Sequence, residues 1–306
     1  LPQLRHLRKA GTVIVWSPIY LHFCEYVWAS AAVRVLYGQV DVDERERFRN
    51  AFREGGVSVG GRHRWGPNEI YPGFFDDATE MLSLVDHVCV LSYHEAQKLF
   101  TVTRAVTKPF TVTPIGVDRD GARESIVSGF RPPHGDEFVL SVGSVDGRKN
   151  QLFLIEALRG TGLRIVLVGP AFESDYLELC LIEGMGFVEY LGRLPRSAVV
   201  GAYLAARVHA LPSYAEGAAL SNLEAAAWGC AIVVSNRSSE FEYFGDSAYY
   251  CDPGDPECIR RAVLAAWESR KNEPERWLEL SERVSREYTW DRAAACTAEA
   301  YKRALG

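Results

Sequence analysis

Glu216 and Glu224 stand eight positions apart in PSYAEGAALSNLEAAAWGCAIVV (Pro212 to Val234), where an apolar run, Val208 to Leu211, hands over to small residues and then to helix formers. A strand-to-helix turn built from Gly217, Ala218 and Ala219 lets the backbone approach a bound group closely. The amides that open the following helix attract anions. Glu224 lies two helical turns on, roughly on the same side as the turn, and can accept hydrogen bonds from hydroxyl groups. Taken alone, the pair has two readings of equal standing: a ligand-binding turn, or a glutamate that caps a helix followed by one that faces solvent.

Arg148 and Lys149 are the second chemical feature. They follow a glycine-containing loop, Gly143-Ser144-Val145-Asp146-Gly147, at the end of the apolar run Phe138 to Val142. Two adjacent cations at a helix start can clamp a diphosphate leaving group. Negative charge grows on the departing phosphate as its bond to carbon breaks, so preorganised cations favour the transition state over the ground state. A solvated basic pair on a helix is the plainer alternative.

These residues need a scaffold that gathers loops. Apolar runs at 138–142, 164–168, 187–191, 207–211 and 231–235 alternate with helical stretches such as Gln151 to Leu158 and Ser174 to Ile182. That alternation predicts a parallel doubly wound sheet, whose ligands bind beyond the carboxyl ends of the strands. Gly143, Gly169, Gly192 and Ser213 end successive strands, so their loops should meet in one crevice. The first half reads as a second Rossmann-type unit. It should run through an amphipathic helix (Leu1 to Gly11), a buried strand (Thr12 to Tyr20), a buried helix (Tyr20 to Gly38) and a charged helix or lid (Asp41 to Gly56). An irregular loop (Gly56 to Gly73), a helix-strand-helix segment (Phe74 to Phe100) and a last strand in KPFTVTPIGV complete it.

The pattern E-G-x-x-L-x-x-L-E-A-A-A-x-G-x-x-I-V-V-S resembles the signature of the retaining GT-B glycosyltransferases of family 4. Phe138 to Leu158, Leu163 to Pro170, Phe187 to Ser213 and Phe241 to Val263 follow in that family's order, so the resemblance covers 138 to about 265. TVTPIGVD (Thr111 to Asp118) is similar to its interdomain junction. The resemblance implies an α/β fold of GT-B type, two Rossmann-like domains facing a central cleft. The expected division is 1–117 for an acceptor-side domain that looks incomplete, 118–288 for the nucleotide-sugar domain, and 289–306 for a terminal helix crossing back, with Trp290 as its anchor.

It also implies roles. Glu216 would contact the transferred sugar from beneath, the amides of Ala219 and Leu220 would hold phosphate oxygens, and Glu224 would accept from the ribose. Gly143, Ser144, Gly217 and Ala218 would line the donor pocket, and Arg193 and Leu194 would lie by the nucleobase. Lys149 and Arg148 would hold the diphosphate. Family members usually carry arginine at the position of Ser144, so Arg148 stands in for it. Glu242 and Asp246 fit a structural turn. Attack from the front face, with the departing phosphate helping to deprotonate the acceptor, would need no protein base. His22, His63 and His94 stand in no recognisable motif.

The implied function is transfer of a sugar from a nucleoside diphosphate donor, UDP slightly favoured, to a glycan, lipid or other hydroxyl acceptor. No cofactor is expected. No metal is expected either, since Asp76-Asp77 begins a helix and Asp41-Val42-Asp43 lies in a charged surface stretch. A non-catalytic nucleotide-sugar-binding scaffold and a GT-B epimerase are the alternatives. A net charge of -6 argues against nucleic acid as a partner, because such binding rests on cations that neutralise phosphates. Seven cysteines without a CxxC pair read as reduced thiols of a cytoplasmic protein. No apolar run approaches the length of a membrane span, which leaves peripheral association at an inner membrane face compatible with the sequence.

Overall fold

The computed structural model describes residues 79, 82–102, 108–119, 130, 137–172, 174–214, 216–218 and 220–305, together with short strands at 14–16, 57–59 and 63–65. The readings made for Leu1 to Gly11, Tyr20 to Gly38 and Asp41 to Gly56, and His22 with them, lie outside the described residues.

In the first half, β1 (Ile14–Trp16), β4 (His87–Val90) and β5 (Phe110–Val112) form a parallel sheet in the order β1-β4-β5. Helix α1 (Tyr93–Val102) packs on it through Ala96 and Leu99, which join Leu82, Val88 and Val90 in a small core. The segment expected to be an irregular loop instead contains a hairpin, β2 (Val57–Val59) paired antiparallel with β3 (His63–Trp65). Gly60 and Gly61 stand between the two strands, and glycine is the usual punctuation of such a connection.

The second half is a six-stranded parallel sheet. Its strands are β6 (Val139–Val142), β7 (Ile165–Val168), β8 (Val188–Tyr190), β9 (Val208–Leu211), β10 (Ala231–Ser235) and β11 (Tyr249–Cys251), in the spatial order β11-β10-β9-β6-β7-β8. All four residues of β7 and all five of β10 are buried. Such unbroken burial suits strands covered on both faces. The five strands read from periodicity are found within a residue or two of their expected bounds. The sixth, β11, was not anticipated, because a three-residue Tyr-Tyr-Cys run is too short to show a period.

Helices cover both faces: α2 (Gln151–Leu158), α3 (Ser174–Glu183), α4 (Arg196–Ala205), α5 (Leu220–Ala227), α6 (Glu240–Phe244), α7 (Pro256–Asn272) and α8 (Pro274–Glu287). The start of α7 is specified locally, with Pro256 in its first turn and the Asp255 carboxylate accepting from the Glu257 amide at 3.0 Å. Helix α8 inserts Trp277, 1% exposed, and donates the Ser281 hydroxyl to the Ala227 carbonyl at 2.6 Å. Helix α9 (Trp290–Leu305) then packs against β4 and β5 of the first sheet. Trp290 does not anchor it through burial, being 52% exposed; Ala300 is the fully buried residue of that helix. The chain instead passes so close to Gly116 that a Cβ there would lie 2.5 Å from the Trp290 nitrogen.

Candidate functional site

The sheet order reverses between β6 and β9. From β6 the chain winds outward through β7 and β8, and from β9 it winds the other way through β10 and β11. The loops leaving the carboxyl ends of these two neighbours diverge and leave a crevice, the place where open α/β sheets bind ligands. The β6 loop carries Arg148 and Lys149, and the β9 loop carries Glu216.

Each loop is held by buried polar groups. The Asp146 carboxylate accepts from the Lys149 amide at 3.0 Å and from the Ser144 hydroxyl, and Gln151 donates its side-chain amide to the Ser144 carbonyl at 2.8 Å. Asn150 is wholly buried with a left-handed φ of 63°, and donates to the carbonyls of Pro212 (3.0 Å) and Pro253 (2.8 Å). The Tyr214 amide donates to the Arg148 carbonyl at 2.9 Å. The two loops are thereby joined to each other before any ligand arrives. Gly169, ending β7, also packs on this edge, where a Cβ would fall 1.9 Å from the Gly143 carbonyl oxygen.

Lys149 Nζ lies 2.6 Å from Glu216 Oε1, and Arg148 Nη1 lies 3.0 Å from the same oxygen. Burial pushes the Glu216 pKa up, but the two cations outweigh it and hold the carboxyl below its ordinary value. Beneath Lys149, His209 on β9 is completely buried and accepts from the Val142 amide at 3.2 Å. Burial first, and then the Lys149 charge, lower its pKa to about 3, so it stays neutral and adds no charge to the crevice.

Glu224 lies about one turn into α5, rather than two, and occupies a second cluster. Arg196 Nη1 lies 3.2 Å from its Oε1 and the Tyr203 hydroxyl 3.3 Å from its Oε2, both from α4. Burial raises the Glu224 pKa, with Arg196 and Tyr203 pulling in the opposite direction. Two residues earlier, on the other side of α5, buried Asn222 donates to Glu240 at 2.9 Å.

The structure therefore brings Arg148, Lys149 and Glu216 into contact, with Gly143, Ser144, Gly217 and Ala218 in the same two loops. Leu220 is the first residue of α5, and Ala219 lies outside the described residues. Arg193 is exposed and Leu194 half-buried on the loop beyond β8, two strands from β6. Ser144 contributes a hydroxyl to Asp146, and it is Arg148 that supplies a guanidinium at Glu216. Sequence reasoning missed Asp146, Asn150, Arg196, Tyr203 and His209. A histidine inside the apolar strand Val-His-Ala-Leu was a readable signal; a left-handed asparagine was not.

Residues 122–283 match the family described as Glycosyl transferases group 1. The O-antigen chain mannosyltransferase B of Escherichia coli is 29% identical over 178 residues, 54% of this chain and 45% of that protein. The D-rhamnosyltransferase WbpZ of Pseudomonas aeruginosa is 26% identical over 176 residues, 55% of this chain and 46% of that protein. The chain thus spans less than half the length of these curated relatives. Among solved structures, sucrose-phosphate synthase from Thermosynechococcus elongatus superposes with a TM-score of 0.66 at 20% identity, covering 84% of this chain and 66% of that one. Anabaena HepE in complex with UDP and glucose gives 0.64 at 15%, covering 78% and 69%. The shared architecture is the GT-B fold of paired α/β units.

Proposed function

Because the chain belongs to the glycosyl transferases group 1 family, we propose that its crevice binds a nucleoside diphosphate sugar and transfers the sugar, with retention of configuration, to a hydroxyl acceptor. The observation that carries this reading is the meeting of Lys149 and Arg148 on Glu216 at the switch point of the sheet. Two cations converge on a single carboxylate oxygen, an arrangement suited to an anion. The donor's diphosphate would take over Lys149 and Arg148, joined by the amides at the start of α5. Glu216 would then be free to accept from the sugar's hydroxyls.

As the glycosidic bond breaks, charge builds on the β-phosphate, and the two cations stabilise it without reorganising, since Asp146, Asn150 and Gln151 already hold their loop. The leaving phosphate oxygen accepts the acceptor's proton on the same face, and no protein base or divalent metal enters. Glu224 binds the ribose. The acceptor is a glycan, lipid or other hydroxyl compound, met at the cytoplasmic side of a membrane if it is lipid-linked. UDP-sugars head the list of donors, as HepE is a complex with UDP and glucose.

The test is release of nucleoside diphosphate from UDP-, GDP- and ADP-sugars by the wild-type chain, Glu216→Ala and Lys149→Ala. Turnover of one donor by the wild type, lost in both variants, supports the reading. Tight nucleotide binding with no release in the presence of any acceptor would make the chain a scaffold and overturn it.

A further inference from the structure

Arg196 was not among the residues expected to act, yet it is tied to two parts of the site. It opens α4, its Nη1 lies 3.2 Å from Glu224 Oε1, and its Nη2 lies 3.5 Å from the Asp118 carbonyl in the segment between the two sheets. Tyr203, two turns along the same helix, donates to the other oxygen of Glu224 at 3.3 Å. One carboxylate is thus held at both oxygens by one neighbouring helix. The Tyr203 ring is itself immobilised, 1% exposed and set edge-on to His209 at 5.8 Å between centroids.

Resting on the donor-binding reading above, we infer that Arg196, with Tyr203, is a positioning residue for the nucleoside: it keeps Glu224 aimed so that the carboxylate can receive the ribose hydroxyls. A free carboxylate on a helix of small residues, Leu-Ser-Asn-Leu-Glu-Ala-Ala-Ala, could rotate among several rotamers. Held at both oxygens, it keeps one orientation and still has lone pairs for a diol. The Arg196 side chain is 57% exposed and that of Glu224 17%, so the pair lies where a ligand can reach it.

Among the described residues, the groups that act on the Glu224 carboxyl come from α4: Arg196, and the Tyr203 hydroxyl as a neutral donor. Loss of Arg196 removes the main influence that opposes burial. The Glu224 carboxyl then takes up its proton at higher pH, and ribose recognition weakens as pH falls.

The experiment is calorimetric titration of UDP and of inorganic pyrophosphate into the wild type, Arg196→Ala, Arg196→Lys and Tyr203→Phe, between roughly pH 5 and pH 8. Arg196→Ala should weaken UDP about tenfold at neutral pH, and by more as pH falls, with pyrophosphate binding unchanged. Arg196→Lys should restore the pH profile, because it restores the charge. A residue that only supported the fold would weaken both ligands together. An Arg196→Ala protein that binds UDP with the wild-type affinity and pH profile would overturn the inference, while wild-type protein that binds neither UDP nor pyrophosphate would overturn the donor-binding reading beneath it.

Discussion

Lys149 and Glu216 are each costly to bury alone and tolerable only together. Truncating Glu216 leaves the buried Lys149 ammonium without its counter-charge, so Glu216→Ala should lower unfolding stability by roughly 3 kcal/mol in urea titrations. The pH dependence has a definite sign. The folded pKa of Glu216 lies below its unfolded value, so its contribution is fully present above the unfolded pKa, near 4.3 for a free glutamate, and is lost as pH falls through the lower folded value. Stability measured from about pH 6 to pH 3 should show this decrement in the wild type and not in Glu216→Gln. For activity, Lys149→Ala should reduce kcat/KM about 10²- to 10³-fold, the scale of losing a preorganised group aimed at developing charge. Arg148→Ala should cost less, since its guanidinium is partly exposed and its bond to Glu216 is longer. Initial rates of nucleoside diphosphate release separate the two.

At the scale of elements, the loop after β6 depends on a residue that its neighbours do not announce. Asn150 combines an unfavourable left-handed backbone with two side-chain bonds that tie its loop to Pro212 and Pro253. Asn150→Gly keeps the backbone freedom and loses the bonds; Asn150→Ala loses both. Chemical denaturation should place Gly between wild type and Ala, with Ala down by about 2–3 kcal/mol, and both should weaken pyrophosphate binding. Gly169 is the companion case. A methyl group there would overlap the Gly143 carbonyl, so Gly169→Ala must push apart the ends of β6 and β7, and its destabilisation should exceed that of Gly186→Ala, where a Cβ meets nothing. Of these elements, the strands and α2 were legible because apolar periodicity is local. The contacts that stitch loop to loop join residues 62 and 103 positions apart, and no local pattern encodes them.

For the whole molecule, the two sheets meet through a small polar joint. The Glu242 carboxylate accepts from the amides of Tyr93 (2.8 Å) and His94 (2.6 Å) at the start of α1, the Ser92 hydroxyl meets that of Ser239 at 2.7 Å, and the Tyr243 hydroxyl donates to the Leu91 carbonyl at 2.7 Å. A carboxylate at a helix N-terminus suits both its free amides and its dipole. Helix α6, which supplies Glu242 and Tyr243, follows β10 and so sits on the same sheet edge as the crevice. Glu242→Ala should speed hydrogen exchange at Tyr93 and His94 while leaving the amides of β6 and β7 protected; equal loss in both sheets would mean that this joint does not act locally. Glu242 was expected to be a structural turn residue; it stands instead within helix α6, where its carboxylate reaches the amides at the start of α1. Among the described residues no helix is long and apolar enough to cross a membrane.

Residue order alone determined the alternation of strand and helix, the turn from Glu216 into α5, the cation pair after β6 and the family these motifs resemble, because each is written in a span shorter than two elements. Tertiary structure decided the rest. Only the spatial order of the sheet makes β6 and β9 neighbours, and that adjacency sets Lys149 and Arg148 on one oxygen of Glu216, His209 beneath them, and Arg196 and Tyr203 on Glu224. Periodicity reports which face of an element is buried, and is silent about which element lies beside it.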